Sequence, residues 1–416
     1  MQIKALIRLC DYNIGRNVRY MSHVANNTAA TSHVTTPPPH PMTKDVVETT
    51  KSKLKMRGWQ IHSYGDVDEL QFSDKLKMPQ IRQADQCLVK VLATSINPID
   101  VAMLNGYGSK VLNAMRCQGN SIEFPLTLGR EFCGILVQKG MNVKDDVHLP
   151  LGQRVWGVVP VQTPQGAHAE YVAVPKHCIS AAPQDLNHEE AASVLYAGLT
   201  AWSGIYLTAN LGGICGTLTA NGANCNNKRI LILGGSGSVG SLAIQMLKAQ
   251  GAQIVSTCSE NARELVQNLG AEIVVDYHNP VEMDTLRQYA PYDIVLDCSG
   301  QGPSGAEQLN FKYQQYVTFS SPLLKNIDNS GLALGLLKNV TNLVETNVKS
   351  LTQQKGLVKW GFFSPAPQGI AHLKQLVEKK KLLPLVEKTY KMEQMPEAFQ
   401  RVKDGHLRGK IVVNMN

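Results

Sequence analysis

The spacing of apolar positions divides the chain into segments of different character. The stretch "KMRGWQIHSYG" alternates polar and apolar residues and predicts a strand closed by Gly65. From there to about residue 200 the apolar runs stay short, as in "QCLVKVLATSI", "FCGILVQKG", "QRVWGVV" and "AEYVAVP", and Gly and Pro punctuate them. Such runs predict a compact β-rich domain over 57–200. After residue 200 the rhythm changes. "RILILGG", "AQIVSTC", "EIVVDY", "YDIVLDC" and "QYVTFSS" are short, mostly apolar strands, and helical stretches separate the first four. Strands apolar on both faces and set between helices predict a parallel sheet covered on both sides, so 201–365 is expected to be a doubly wound α/β domain. "GLALGLLKNVTNLVETNVKSLTQQ" predicts a helix, and "GLVKWGFF" a sixth strand. Residues 366–416 mix α and β again and are expected to pack back onto the first domain.

The first fifty residues read differently. "MQIKALIRLCDYNIGRNVRYMSH" is basic, nearly acid-free and able to form an amphipathic helix, and a polar, proline-rich linker, "VANNTAATSHVTTPPPHP", follows it. That composition matches a mitochondrial transit peptide and places the mature chain in the matrix; a disordered cytosolic extension is the alternative.

Composition narrows the function classes. At 416 residues the chain exceeds one ordinary core, and no apolar run is long enough for a membrane-spanning helix, which leaves at most peripheral membrane contact. The net charge is +8, but residues before Lys44 carry +3 of it and no long basic run exists. Nucleic-acid binding is not expected; a phosphorylated cofactor and a solvated surface account for the charge. The nine cysteines are scattered and include no C-x-x-C, which argues against a disulfide framework and against a four-cysteine zinc lobe.

The strongest chemical signal is "RILILGGSGSVGSLAIQMLKAQGA", where Gly235-x-Gly237-x-x-Gly240 follows an apolar strand. Val239, Leu242, Ala243 and Met246 then fall on one helical face. Strand, glycine turn and helix in that order point to a dinucleotide, because the turn lets backbone approach the pyrophosphate and the helix N-terminus offers free N–H groups. An NAD enzyme usually places a carboxylate at the tip of the second strand to hold the ribose diol. Here the tip is Ser259, with Glu260 one position on and Arg263 just beyond. A hydroxyl and a guanidinium suit a 2′-phosphate, so the expected cofactor is NADPH, with a solvated helix residue as the alternative for Arg263.

With these motifs, "SINPIDVAMLNGYG", "LTLGREFCG", "GLTAW", "LGGSGSVG", "LGAEIVVDY" and "GHLRGKIVV" give the chain a specific likeness over about residues 57 to 416. It resembles the quinone-oxidoreductase branch of the medium-chain dehydrogenase/reductase superfamily. The resemblance implies a GroES-like β-rich catalytic domain joined to a Rossmann-type nucleotide domain. In zinc-dependent members three side chains bind the catalytic metal, and the matching positions here are Asn97, Arg130 and about Ala197. None supplies a thiolate or imidazole, so no catalytic metal is expected. What survives is hydride delivery to an acceptor that is already electrophilic, a quinone or an activated enone.

The resemblance also implies the cofactor contacts. Ser236, Gly237, Ser238, Val239 and Gly240 would line the pyrophosphate, and Ser259 and Tyr277 the adenosine phosphate. Cys298, Phe319, Gly361 and Phe363 would surround the ribose and nicotinamide, with His406, Leu407 and Arg408 closing the site; the alternatives are plain core for Phe319 and Phe363, strand-end packing for Tyr277 and a surface charge for Arg408. Cys298 stands where Asn is common, so its backbone is the expected contact there. Asn97, Asp100 and Tyr107 lie in the loop that usually faces the nicotinamide; Tyr107 is a candidate proton donor or a structural aromatic, and Leu104 stands where an Arg is frequent. Arg130 is expected to be a structural ion-pair partner. The leading reading is a mitochondrial NADPH-dependent quinone reductase supporting ubiquinone metabolism. The competing readings are a mitochondrial enoyl-thioester reductase and a nucleotide-binding scaffold acting through a reticulon-like, ubiquinone-pathway or other partner. The superfamily also implies a homodimer formed through edge strands of the nucleotide domain.

Overall fold

A computed structural model describes residues 55–116, 124–213 and 225–416. The transit-peptide reading of residues 1–50 lies outside the described residues.

The alternating segment at the start forms β1 (Lys55–Gln60), which pairs antiparallel with β2 (Gln71–Lys77) in a two-stranded sheet. The β-rich part is organised around β3 (Gln86–Ile96), eleven residues long and buried over most of its length. One edge of β3 pairs with β4 (Glu131–Lys139), followed outward by β5 (Arg154–Val158). On its other edge the first half of β3 takes β6 (Tyr171–Pro175). β7 (Ile179–Ala181) closes the far side beside β5.

The nucleotide part is a six-stranded parallel sheet of β8 (Arg229–Leu233), β9 (Gln253–Cys258), β10 (Ile273–Asp276), β11 (Tyr292–Asp297), β12 (Tyr313–Thr318) and β13 (Leu357–Trp360). Its order is β10-β9-β8-β11-β12-β13, so the direction of winding reverses between β8 and β11. Numbered from β8, this is the 3-2-1-4-5-6 order of a dinucleotide-binding fold. Its strands are apolar because helices cover both faces: Ile230, Leu231, Ile232, Ile254, Val295 and Leu296 are all buried.

The C-terminal segment returns to the first sheet. β14 (Val386–Lys391) and β15 (Lys410–Asn414) pair parallel, and β15 pairs antiparallel with the second half of β3, from Ala93 to Ile96. The Leu195–Trp202 helix joins the two sheets. It is apolar on nearly every side, and one continuous core runs from Ala93, Cys133 and Trp156 through Leu195, Leu199 and Trp202 to Ile230, Leu242 and Ile294.

The helix foreseen before the sixth strand spans Leu332–Thr352. Its Asn347 accepts a hydrogen bond from the Val358 N–H at 2.9 Å and donates to the Val358 carbonyl at 3.0 Å. These bonds occupy the outer edge of β13. A homodimer formed through the β13 edge would therefore require Asn347 to release Val358. No helix among the described residues is long and apolar enough to cross a membrane.

What anchors β15 is an ion pair inside the protein. Lys410 and Glu131 are 4% and 1% exposed, and the Lys410 ammonium hydrogen-bonds Glu131 Oε1. The cost of burying both charges is offset by further bonds to the same carboxylate, from Ser95 Oγ, Asn97 Nδ2 and the Tyr196 N–H. Removing one partner strands the other. Lys410→Met is expected to lower stability by ~3–5 kcal/mol, and the double change Lys410→Met with Glu131→Gln by clearly less, since no unpaired charge remains. Urea unfolding followed by circular dichroism checks both.

Candidate functional site

All six parallel strands end at one edge of the sheet, and the expected cofactor residues follow them directly. The glycine turn comes after Leu233, Ser259 after Cys258, Tyr277 after Asp276, Cys298 after Asp297, Phe319 after Thr318, and Gly361 with Phe363 after Trp360. The chain order that separates these residues by more than a hundred positions thus gathers them along the carboxyl edge, where open α/β sheets take their ligands.

At the turn, each glycine has a distinct reason. A Cβ on Gly240 would lie 2.2 Å from the Gly234 carbonyl, so only glycine lets the helix start press against the turn. A Cβ on Gly235 would meet Ser256 Oγ at 2.2 Å. Gly237 is different, for a Cβ there would meet only the Gly234 carbonyl oxygen, at 3.6 Å. It faces open space at the N-terminus of the Ser238–Lys248 helix, which gives a cradle that fits a pyrophosphate without needing side-chain room. Ser236, Ser238 and Val239 are half-buried around it.

The C-terminal segment reaches this cradle. Gly237 and Gly409 form an isolated parallel bridge, which sets His406, Leu407 and Arg408 beside the glycine turn. Leu407 packs on the core of the β-rich part, while His406 and Arg408 are exposed. The Arg408 N–H donates to Glu387 Oε2 at 2.6 Å, and its guanidinium makes no hydrogen bond or ion pair among the described residues. Arg408 is close enough to Cys258, at the tip of β9, to favour its thiolate, although burial holds that thiol up at about 11.

Around Ser259 the structure corrects part of the sequence reading. Arg263 is not offered to a ligand: its side chain donates to Glu260 Oε2 at 2.5 and 2.8 Å, to Glu282 Oε2 at 2.7 Å and to the Val274 carbonyl at 2.5 Å. The two carboxylates raise its pKa further and hold it as a tether between the Arg263–Asn268 helix and β10. Ser259 Oγ donates to Asn261 Oδ1 at 2.7 Å. Tyr277, 43% exposed, lies next to it, because the Tyr277 N–H donates to the Cys258 carbonyl at 3.1 Å.

At the other end Cys298 is half-buried, and its N–H donates to the Leu233 carbonyl at 3.0 Å across the reversal point. Of the backbone groups expected to meet a ligand there, that bond occupies the N–H and leaves the carbonyl. Asp297 escaped the sequence reading. Its buried carboxylate accepts from the N–H groups of Ser299, Gly300, Gln301 and Gly302 and from Thr318 Oγ, and so shapes the whole turn. Its signal was the run "DCSGQG", an acid followed by paired glycines. Phe319 is wedged between Gly204 and Gly361, where added Cβ atoms would come within 2.4 and 2.8 Å of its ring. Its role there is packing.

The positions that match zinc ligands form a different kind of site. Asn97 is buried, accepts from the Lys410 ammonium and donates to Glu131 Oε1 at 3.2 Å. Arg130 is fully buried and donates to the carbonyls of Pro160 at 3.1 Å and Thr163 at 3.0 Å. Burial lowers its pKa to about 10 against the pull of Asp100, whose carboxylate lies 3.8 Å away and also accepts from the Gly129 N–H at 2.9 Å. Ala197 offers no ligand atom. Two cationic side chains and an amide do not fit a divalent cation, and the described residues contain no group of three His, Cys, Asp or Glu side chains that could hold one. Leu104 is fully buried core.

Tyr107 sits in a loop pinned to the nucleotide part, since the Gly108 and Lys110 N–H groups donate to the Asp328 carboxylate of the Leu323–Ser330 helix at 2.6 and 3.1 Å. Its phenol is half-buried and raised in pKa by burial and by Asp328. Tyr196 was missed by the sequence reading, because "LYAGLTAW" reads as plain helical core. It stacks on Phe363 with ring centres 4.2 Å apart and planes 11° from parallel.

Known proteins match this geometry. Residues 83–184 match the alcohol dehydrogenase GroES-like domain family, and residues 269–413 match the zinc-binding dehydrogenase family. The fruit fly Drosophila melanogaster has a relative named NAD(P)H oxidoreductase RTN4IP1, mitochondrial, 61% identical over 92% of this chain and 90% of its own length. A relative in Caenorhabditis elegans named reticulon-4-interacting protein 1, mitochondrial, is 33% identical over 88% of this chain and 96% of its own. The solved quinone oxidoreductase from Coxiella burnetii superposes with a TM-score of 0.67 at 25% identity, covering 87% of this chain and all of that one. The chain belongs to the mitochondrial NAD(P)H oxidoreductase RTN4IP1 family of the medium-chain dehydrogenase/reductase superfamily, and is an oxidoreductase built for a nicotinamide cofactor.

Proposed function

We propose that the protein is an NADPH-dependent reductase of quinones or activated enones that works without a metal. The observation that carries this reading is the pairing of an intact cofactor cradle with a former metal position filled by Asn97, Lys410 and Glu131. A cation that polarises an alkoxide is replaced by an ammonium already committed to a carboxylate, so the favoured acceptor is one that needs no such help. The names of the relatives support a mitochondrial setting, refined here to the matrix. A role in ubiquinone metabolism and a reticulon-type protein partner extend the same reading.

The bound nicotinamide supplies the hydride; the chain's residues hold and shield it. Gly237 and the free N–H groups of Ser238 and Val239 receive the pyrophosphate, with Ser236 and Gly240 completing the turn. Gly361, Phe363 and the Cys298 carbonyl form the wall beside the ribose and nicotinamide, and Phe319 backs it. His406 and Leu407 close the segment over the cradle. Asn97 and Tyr107 face the nicotinamide from the catalytic domain. For the 2′-phosphate, Arg263 is replaced by Arg408 as the favoured cation, with Ser259 and Tyr277 as hydroxyl donors. A charge-assisted bond from Arg408 is worth ~1.5–3 kcal/mol.

Steady-state oxidation of NADPH and NADH, with a short-chain ubiquinone analogue as acceptor, tests this reading. NADPH is expected to be preferred, and Arg408→Ser to lower its kcat/KM by about one to two decades while leaving NADH little changed. Tight NADPH binding without oxidation by any quinone or enone would contradict it; turnover confined to crotonyl thioesters would assign the chain to enoyl-thioester reduction instead.

A further inference from the structure

Beside the candidate cofactor residue Phe363 lies a hydroxyl that the cofactor reading leaves without a task. Tyr196 lies in the Leu195–Trp202 helix, one residue before the position that matches the third zinc ligand. Its backbone is fixed, since the N–H donates to Glu131 Oε2 at 2.8 Å and the carbonyl accepts from Thr200 Oγ at 2.8 Å. Its ring is fixed too, lying flat on Phe363 three residues past the end of β13. Yet the phenol oxygen makes no hydrogen bond among the described residues, although the ring is only partly exposed.

The surroundings of that hydroxyl are polar. Asp100, Arg130, Glu131 and Tyr107 all act on it electrostatically, the carboxylates and burial raising its pKa and Arg130 opposing them. The group therefore keeps its proton throughout the neutral range and can donate but not ionise. A half-buried donor with no acceptor among the described residues, its ring stacked on Phe363 beside the candidate nicotinamide position, is poised for an acceptor atom on a ligand.

We propose that Tyr196 donates a hydrogen bond to the carbonyl oxygen of the electron acceptor, with its ring and that of Phe363 forming a flat aromatic wall that favours planar conjugated acceptors. This rests on the reductase reading above. In the reaction the hydride breaks its bond to nicotinamide C4 and adds to the acceptor, the displaced electron pair moves to the carbonyl oxygen, and water supplies that oxygen's proton. Tyr196 stabilises the growing negative charge and retains its own proton, so no further oxidant or reductant is needed.

Full-length Tyr196→Phe keeps the stack and removes only the donor. Two measurements on it separate this proposal from the reductase reading. In calorimetric titration of the NADP+-loaded protein with a short-chain ubiquinone analogue, Tyr196→Phe is expected to bind the quinone about three- to tenfold more weakly. NADPH affinity should stay unchanged. In turnover, its kcat/KM for the quinone is expected to fall about tenfold or more, with a larger isotope effect from NADPH deuterated at the transferred position. Tyr196→Leu, which also loses the stack, should weaken a planar quinone more than a non-planar enone. Wild-type affinity and rate in Tyr196→Phe would overturn the proposal. Weaker quinone binding by this variant of a protein that binds but does not reduce the quinone would uphold the Tyr196 contact and sink the reductase reading. A wild-type protein that neither binds nor reduces any carbonyl acceptor would sink both.

Discussion

The buried pair of Lys410 and Glu131 is the constraint around which the two halves are arranged. Glu131 opens β4, directly after the Leu-Gly-Arg turn, and Lys410 opens β15, close to the C-terminus. Their contact brings β15 alongside β3, and with it the Gly409 bridge that sets His406 and Arg408 against the glycine turn. The same carboxylate fixes Asn97 through one oxygen and the Tyr196 backbone through the other. One ion pair thus connects sheet closure, the former metal position and the residues beside the cofactor cleft. Two charges held away from water contribute little net stability, but losing one costs a great deal, so the arrangement is specific rather than merely cohesive.

That specificity explains how the scaffold holds its shape at the positions that match the ligands of zinc-dependent members. In a zinc enzyme the metal ties its ligands together, whereas here hydrogen bonds do the same structural work. Asp100 caps the Pro98–Leu104 helix by accepting from the Asn97 N–H at 2.9 Å and holds the Gly129 turn beside Arg130. Arg130 then spends its guanidinium on loop carbonyls. In the proposed reaction the cofactor carries the hydride, and the protein's part is position and hydrogen-bond donors.

Much of the fold was legible because its signals are local. The six apolar strands, the glycine turn and the long helix before β13 each show in a window of a dozen residues, and their alternation leads to the parallel sheet. Beyond the glycine turn and Ser259, the candidate cofactor residues came from the family resemblance, and the strand ends show why those positions can share a ligand. The misread residues share a different property. Arg263 looked available because its partner Glu282 lies 19 positions away and in another element. Lys410 and Glu131 are 279 positions apart, and no periodicity announces their meeting. Tyr196 hid within an apolar helix, where only the tertiary structure shows that its ring meets Phe363 and that its hydroxyl has no hydrogen bond among the described residues. The edge of β13 is similar, since Asn347 in a helical run gives no sign that it will cover a strand.

If the Asn97–Lys410–Glu131 cluster stands in for a metal rather than hosting one, hydride transfer proceeds with no metal bound. Single-turnover transfer of deuterium from labelled NADPH to a short-chain ubiquinone analogue tests it most directly, using full-length protein before and after exhaustive chelation, with metal content measured on the same samples. The account predicts the same transfer rate in both, at metal far below one equivalent. Transfer that disappears on chelation and returns with added zinc would contradict it.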